Sequence, residues 1–142
     1  MANTSIKDLI SEMGEWWHKL IFLCNFNRDD QLPFIEGLKK ININLAVSKN
    51  LLQVPKTKYP LYLEEIIRNI ITEKTTVYLL QHINILFDPQ LQIHPVRLLE
   101  NISKSYKLLI EWPGQYVNNQ LIYAEYGHPE FFVVVILKVG FI

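Results

Sequence analysis

The sequence predicts an α/β fold: a three-layer arrangement of about five mostly parallel strands flanked by helices. Three observations carry this. Short apolar runs with the character of buried strands recur at "HKLIFLCNF", "TTVYLL" and "YKLLIEW". Helical apolar spacing fills the stretches between them. The last strand-like runs, "QLIYAEY" and "FFVVVILKV", are joined by turn signals and predict antiparallel additions at the C-terminal end.

Taken in order, residues 5–18 suit a short helix, with Ile6, Leu9, Ile10, Met13, Trp16 and Trp17 at spacings of three and four. "HKLIFLCNF" follows as a strand buried on both faces. A second helix is expected from Asp30, capped by Asp29 or Asp30, with Pro33 in its first turn and Gly37 and two lysines at its close. "ININLAV", residues 41–47, alternates apolar and polar and predicts a strand nearer an edge. Residues 48–60 read as a connection. "LYLEEIIRNIITE" gives the clearest helix, with Leu61, Leu63, Ile66, Ile67, Ile70 and Ile71 on its apolar face. Another strand ends near Gln81, and Asp88-Pro89 breaks the chain after it. His94-Pro95 opens a helix with proline at its first position. Pro113-Gly114 and Asn118-Asn119 are turns. No internal repeat or low-complexity linker interrupts the pattern, so residues 1–142 are read as one domain.

Composition sets the outer limits. The 142 residues are 49% hydrophobic and 20% charged, which describes a folded chain rather than a disordered one. Fourteen basic and fourteen acidic residues cancel, so no broad attraction to DNA or to acidic membranes is expected. Residues 37–63 depart from this balance, with Lys39, Lys40, Lys49, Lys56 and Lys58 and no acidic residue. A solvated face explains them, and a docking patch for an acidic partner is the sharper alternative. The single cysteine, Cys24, allows no internal disulfide and suits a reducing cytoplasm. The polar N-terminus has no signal-peptide pattern, and the apolar C-terminal run is too short to span a bilayer. A cytoplasmic protein without a membrane partner is therefore expected.

Parallel sheets bind ligands at the carboxyl ends of their strands. Here those ends are "CNFNRDD", "QHIN" and "EWPG", where a P-loop NTPase keeps its phosphate loop, its metal-binding acid and its polar sensor. A phosphate loop needs glycines so that backbone N–H groups can wrap the anion, a lysine to offset its charge and a hydroxyl for Mg²⁺. Asn25, Phe26, Asn27, Arg28, Asp29 and Asp30 supply only one cation. The two aspartates stand where an anion would sit, able to take the helix N–H groups themselves. At the metal position the chain has Gln81 and His82, and an amide cannot supply the charge Mg²⁺ requires. His82 could act as a base, but a lone histidine among apolar residues is more often structural. The four histidines lack metal-ligand spacing. Glu125, His128 and Glu130 could form an acid–base set, though Gly-His-Pro reads better as a turn. Trp112 is either core or a contact surface.

"ILFDPQLQIHPVRLLENISKSYKLLIEWPG" followed by "LIYAEYGHPEF" resembles the C-terminal part of a family of small P-loop proteins of bacteriophage exclusion (BREX) systems, the BrxF family. That family also has a "LFDP…L…P…LL" segment, a strand ending in Trp-Pro-Gly and a "Y-A-E-x-G-H-P-E" segment. The resemblance covers roughly residues 50–132; the N-terminal part matches in layout only. It implies a reduced P-loop NTPase-like fold and a role in phage defence beside larger proteins, a large ATPase among the candidates. Its nucleotide chemistry does not carry over, because the glycine-lysine loop is replaced by Asn25–Gln31 and the acid by Gln81. The expectation is a non-catalytic subunit with degenerate Walker motifs, without ATP or Mg²⁺. It would act through protein contacts at Lys49, Lys56, Lys58, Trp112, Glu125 and His128, and meet DNA only weakly or indirectly. An atypical ATPase using Arg28 and His82 and completed by a partner remains the alternative, with a small DNA-binding module as a third. An apolar C-terminal strand with an open edge also invites pairing between copies.

Overall fold

The computed structural model describes residues 6–24, 37–124, 127–128, 130, 132–135 and 140–141. Five strands form a parallel sheet: β1 (Leu20–Leu23), β2 (Lys39–Asn42), β3 (Val77–Gln81), β4 (Lys107–Glu111) and the two-residue β8 (Gly140–Phe141). Their order is β2-β3-β4-β1-β8. Three further strands, β5 (Gln115–Val117), β6 (Gln120–Tyr123) and β7 (Phe132–Val135), form a separate antiparallel sheet. The antiparallel C-terminal strands are thus present, but as a second sheet. The strand that rejoins the main sheet is parallel.

Alternation along the strands divides the core in two. Leu20, Phe22, Ile41, Tyr78, Leu80, Leu108 and Ile110 face one side, under α2 (Ile43–Leu51), α3 (Tyr59–Ile70) and α4 (Pro95–Ser103). Ile21, Leu23, Val77, Leu79 and Leu109 face the other, where Leu9, Ile10 and Met13 of α1 (Ile6–Met13) pack with Trp16 and Leu38. The interior strands β1, β3 and β4 are apolar on both faces for this reason. Tyr78 is fully buried, and its hydroxyl accepts from the N–H groups of Thr72 and Glu73, satisfying the chain as it leaves α3.

The helix signals at His94 and Pro95 are realised: His94 Nδ1 accepts from the Arg97 N–H and Pro95 opens α4. Asn118 and Asn119, both with positive φ, make the tight β5–β6 hairpin. Two expectations fail together. The strand expected over residues 41–47 ends at Asn42, and Ile43–Leu51 is helix α2, so residues 48–51 are not a connection. Lys39 and Lys40 lie in β2 and do not close a helix. The physical reason is Asn42, whose side chain accepts from the Leu45 N–H and caps α2. Ile43, Val47 and Leu51 then recur every fourth residue and face the core. Leu61, assigned to the apolar face of α3, is instead 75% exposed, because it stands two residues before the buried Leu63 and so about 160° around the helix from it.

Candidate functional site

The sheet order fixes where a ligand-binding crevice would open. The chain leaving β1 travels toward β2 at one edge, and the chain leaving β4 travels to the second sheet and β8 on the other side. The carboxyl ends of β1 and β4, which are neighbours, are therefore a topological switch point.

Strand register aligns four residues across this end. Asn42 lies beside Gln81, Glu111 lies beside Leu23, and the β3–β4 pairing brings Gln81 next to Glu111. Gln81 and Glu111 project from the face that carries Leu79 and Leu109. There Gln81 Nε2 donates to Glu111 Oε2 at 3.0 Å, and both side chains are half-buried. The amide expected at the metal-acid position is thus engaged with a carboxylate on the next strand. Asn42 is occupied as the cap of α2. His82, one residue on, has a left-handed backbone (φ 54°) and is exposed, and its carbonyl accepts from the Asn44 N–H. This bend carries the chain from β3 toward α2 and into the 3₁₀ turn Ile83–Phe87.

On the opposite face the crevice is filled. The Trp112 N–H donates to the Leu23 carbonyl at 3.2 Å, tying the strand ends together. The Trp112 side chain is 5% exposed and meets Phe22 and Phe87 edge-on, with ring centroids 5.8 and 5.4 Å away. Its Nε1 donates to the Ile122 carbonyl at 3.1 Å. Trp112 is therefore core and is withdrawn as a contact surface. Gly114 explains the rest of the Trp-Pro-Gly string: a Cβ there would lie 1.8 Å from the same Ile122 oxygen. Phe87 stacks on Tyr123 at 3.9 Å, and Asn84 Nδ2 donates to the Tyr123 hydroxyl. Together these contacts fasten the second sheet to the carboxyl end of the first. Cys24 is buried beside this cluster, and burial pushes its thiol up to about 12, so it is a packed apolar group and not a nucleophile.

The other predicted positions do not join this centre. Residues 25–30, including Arg28, Asp29 and Asp30, lie outside the described residues, as does Glu125. His128 is exposed, and its Nδ1 accepts from the Glu130 N–H, which is the turn geometry. Lys49 is exposed on α2, and Lys56 and Lys58 are exposed on a 3₁₀ turn. Among the described residues no group of three or more His, Cys, Asp or Glu is placed to hold a metal. No helix among them is long and apolar enough to cross a membrane. Sequence reasoning missed Glu111. Its signal was a single carboxylate closing the apolar run "KLLIE", just where a parallel strand presents its carboxyl end.

No family model, no curated protein and no solved structure matches this chain.

Proposed function

We propose that this chain is a non-catalytic, P-loop NTPase-like accessory subunit of a BREX-type phage-defence system, acting through contacts with other defence proteins. The family part of this reading rests on the resemblance over residues 50–132. The order β2-β3-β4-β1-β8, with a switch point between β1 and β4, supports the fold part. The observation that carries the non-catalytic part is the Gln81–Glu111 bond. A hard divalent cation needs carboxylate oxygens. Here the end of β3 offers an amide, which donates a hydrogen bond to the Glu111 carboxylate on the neighbouring strand. Isothermal calorimetry of the purified chain with Mg-ATP tests the proposal. No heat of binding is expected, and tight Mg²⁺-dependent binding would sink it.

One observation favours a second reading, an ATPase completed by a partner. Glu111 is a carboxylate at the carboxyl end of β4, beside β1. If that reading held, Mg-ATP hydrolysis would appear when defence partners are added and vanish in Glu111→Gln. The same hydrolysis assay without partners should stay at background under both readings.

A further inference from the structure

Helix α2 has apolar residues on two opposite faces, and among the described residues only one of these faces is covered. Ile43, Val47 and Leu51 are turned into the core, at 0%, 0% and 6% exposure. Leu45 and Leu52 are 67% and 83% exposed. At about 100° per residue these two leucines share a stripe with Lys49 between them, roughly opposite the buried one. Leu52 is the C-cap residue and keeps a right-handed helical backbone, so the stripe continues to it. Single exposed leucines are ordinary; two on one stripe, seven residues apart, are a small ridge about 10 Å long.

The segment of chain that carries this ridge has charge of one sign. Residues 37–63 hold Lys39, Lys40, Lys49, Lys56 and Lys58 and no carboxylate, in a chain whose charges cancel only overall. All five lysines are exposed. Two of them lie on β2, at the edge of the main sheet, and two on the 3₁₀ turn that follows α2. We propose that the outer face of α2 is a docking site for an acidic amphipathic helix of a partner protein. The partner's apolar residues cover Leu45 and Leu52, and its carboxylates meet Lys49, Lys56 and Lys58. Anchors at i, i+3/i+4 and i+7 match a ridge of this length. The leucines select against nucleic acid, since phosphates reward cations and leave apolar side chains uncompensated. Two leucines are also too few to hold a neutral protein on a bilayer, where even one fatty-acyl chain anchors only marginally. This inference rests on the reading of the chain as a protein-contact subunit, and names the chemistry of the contact.

The test uses the full chain and a short fluorescein-labelled helical peptide, with leucines at i, i+3/i+4 and i+7 flanked by glutamates. Fluorescence anisotropy at about 0.15 M salt should show binding. Affinity should fall at least about tenfold in the Leu45→Ser/Leu52→Ser variant and in Lys49→Glu. The same peptide with lysine for glutamate should not bind. Both leucines are exposed, so the melting curve of the double variant should match the parent, which separates lost docking from lost fold. No binding of the acidic peptide, or binding indifferent to these substitutions, overturns the proposal. So does duplex DNA, or a phosphatidylglycerol vesicle, bound more tightly than the peptide through the same lysines. A dimer in sedimentation that the leucine substitutions dissolve also overturns it, in favour of a second copy. A parallel Mg-ATP titration keeps the two claims apart. ATP binding defeats the non-catalytic reading whatever the peptide does, and a silent peptide with silent ATP defeats only the docking site.

Discussion

Replacing Gln81 by glutamate restores a carboxylate at the end of β3 and converts a hydrogen bond into a repulsion. The amide nitrogen of Gln81 lies 3.0 Å from Glu111 Oε2, so the two carboxylates of Gln81→Glu would have charge centres about 4 Å apart. Two like unit charges at that separation repel by about 4 kcal/mol at an effective dielectric of about 20. Both side chains are half-exposed, and solvent screening brings the net cost down to about 2 kcal/mol at neutral pH. Thermal unfolding by circular dichroism should then show a midpoint about 4–8 °C below the parent at pH 7. The sign with pH follows from linkage. The crowded carboxylate pair binds a proton more readily in the folded chain than in the unfolded one, so its folded-state pKa is raised. The penalty is therefore absent below about pH 4 and grows as pH rises through the raised value. A divalent cation reverses it: at about ten times its Kd, Mg²⁺ or Ca²⁺ recovers about 1.4 kcal/mol in the variant and nothing in the parent. A variant as stable as the parent across this range would refute the Gln81–Glu111 bond. Equal stabilisation of the parent by Mg²⁺ would refute the argument that the amide has removed the metal site.

Substitutions at three positions probe the supports of this end of the molecule. Trp112→Phe keeps an edge-on ring against Phe22 and Phe87 but deprives the Ile122 carbonyl of its donor, so it should cost about 1–2 kcal/mol in urea unfolding. Gly114→Ala drives a methyl group into that carbonyl and should lower the melting midpoint more than Trp112→Phe does. His94 is held below the usual histidine range by burial first and by the Arg97 charge second, and its neutral Nδ1 caps α4. Its contribution is present above about pH 6.5 and lost as pH falls through the lowered folded-state value. Acidification from pH 7 toward 5 should therefore lower the midpoint of the parent more than that of His94→Asn, which keeps a cap that does not titrate. His94→Ala should cost about 1 kcal/mol at pH 7.

Most of the parallel core was legible because its strands are buried on both faces. "LIFL", "VYLLQ" and "KLLIE" are near-continuous apolar runs, and such runs have few other uses in a chain of this kind. The N-cap at Asn42 was more ambiguous. Asn42 sits where a strand becomes a helix, and apolar residues at 41, 43, 45 and 47 satisfy a period of two across that junction. Only the capping bond and the burial of Ile43, Val47 and Leu51 with Leu45 left outside decide the matter. Strand β5 was missed because three residues between two turns carry too little pattern to register. The site was legible as a set of places and not as a set of contacts. Strand ends can be read from the chain, but the pairing of Gln81 with Glu111, thirty residues apart, depends on β3 and β4 being neighbours.

The carboxyl end of a parallel sheet is the part of the fold freest to hold a ligand, because its loops are not needed to build the core. In this chain, three separate segments tie that end together. The turn after β3 contributes Phe87 and Asn84, the end of β4 contributes Trp112 and Gly114, and β6 contributes Tyr123 and the Ile122 carbonyl. On the other face, Gln81 and Glu111 satisfy each other. A loop that must open to admit and release a nucleotide cannot also be an aromatic cluster that fastens one sheet to another. The described part of this edge is built for rigidity. Two of the exposed apolar residues, Leu45 and Leu52, lie elsewhere, on the outer face of α2, where they add nothing to the core. Among the described residues, the side chains at the sheet end are spent on one another, while the outer face of α2 keeps two leucines exposed.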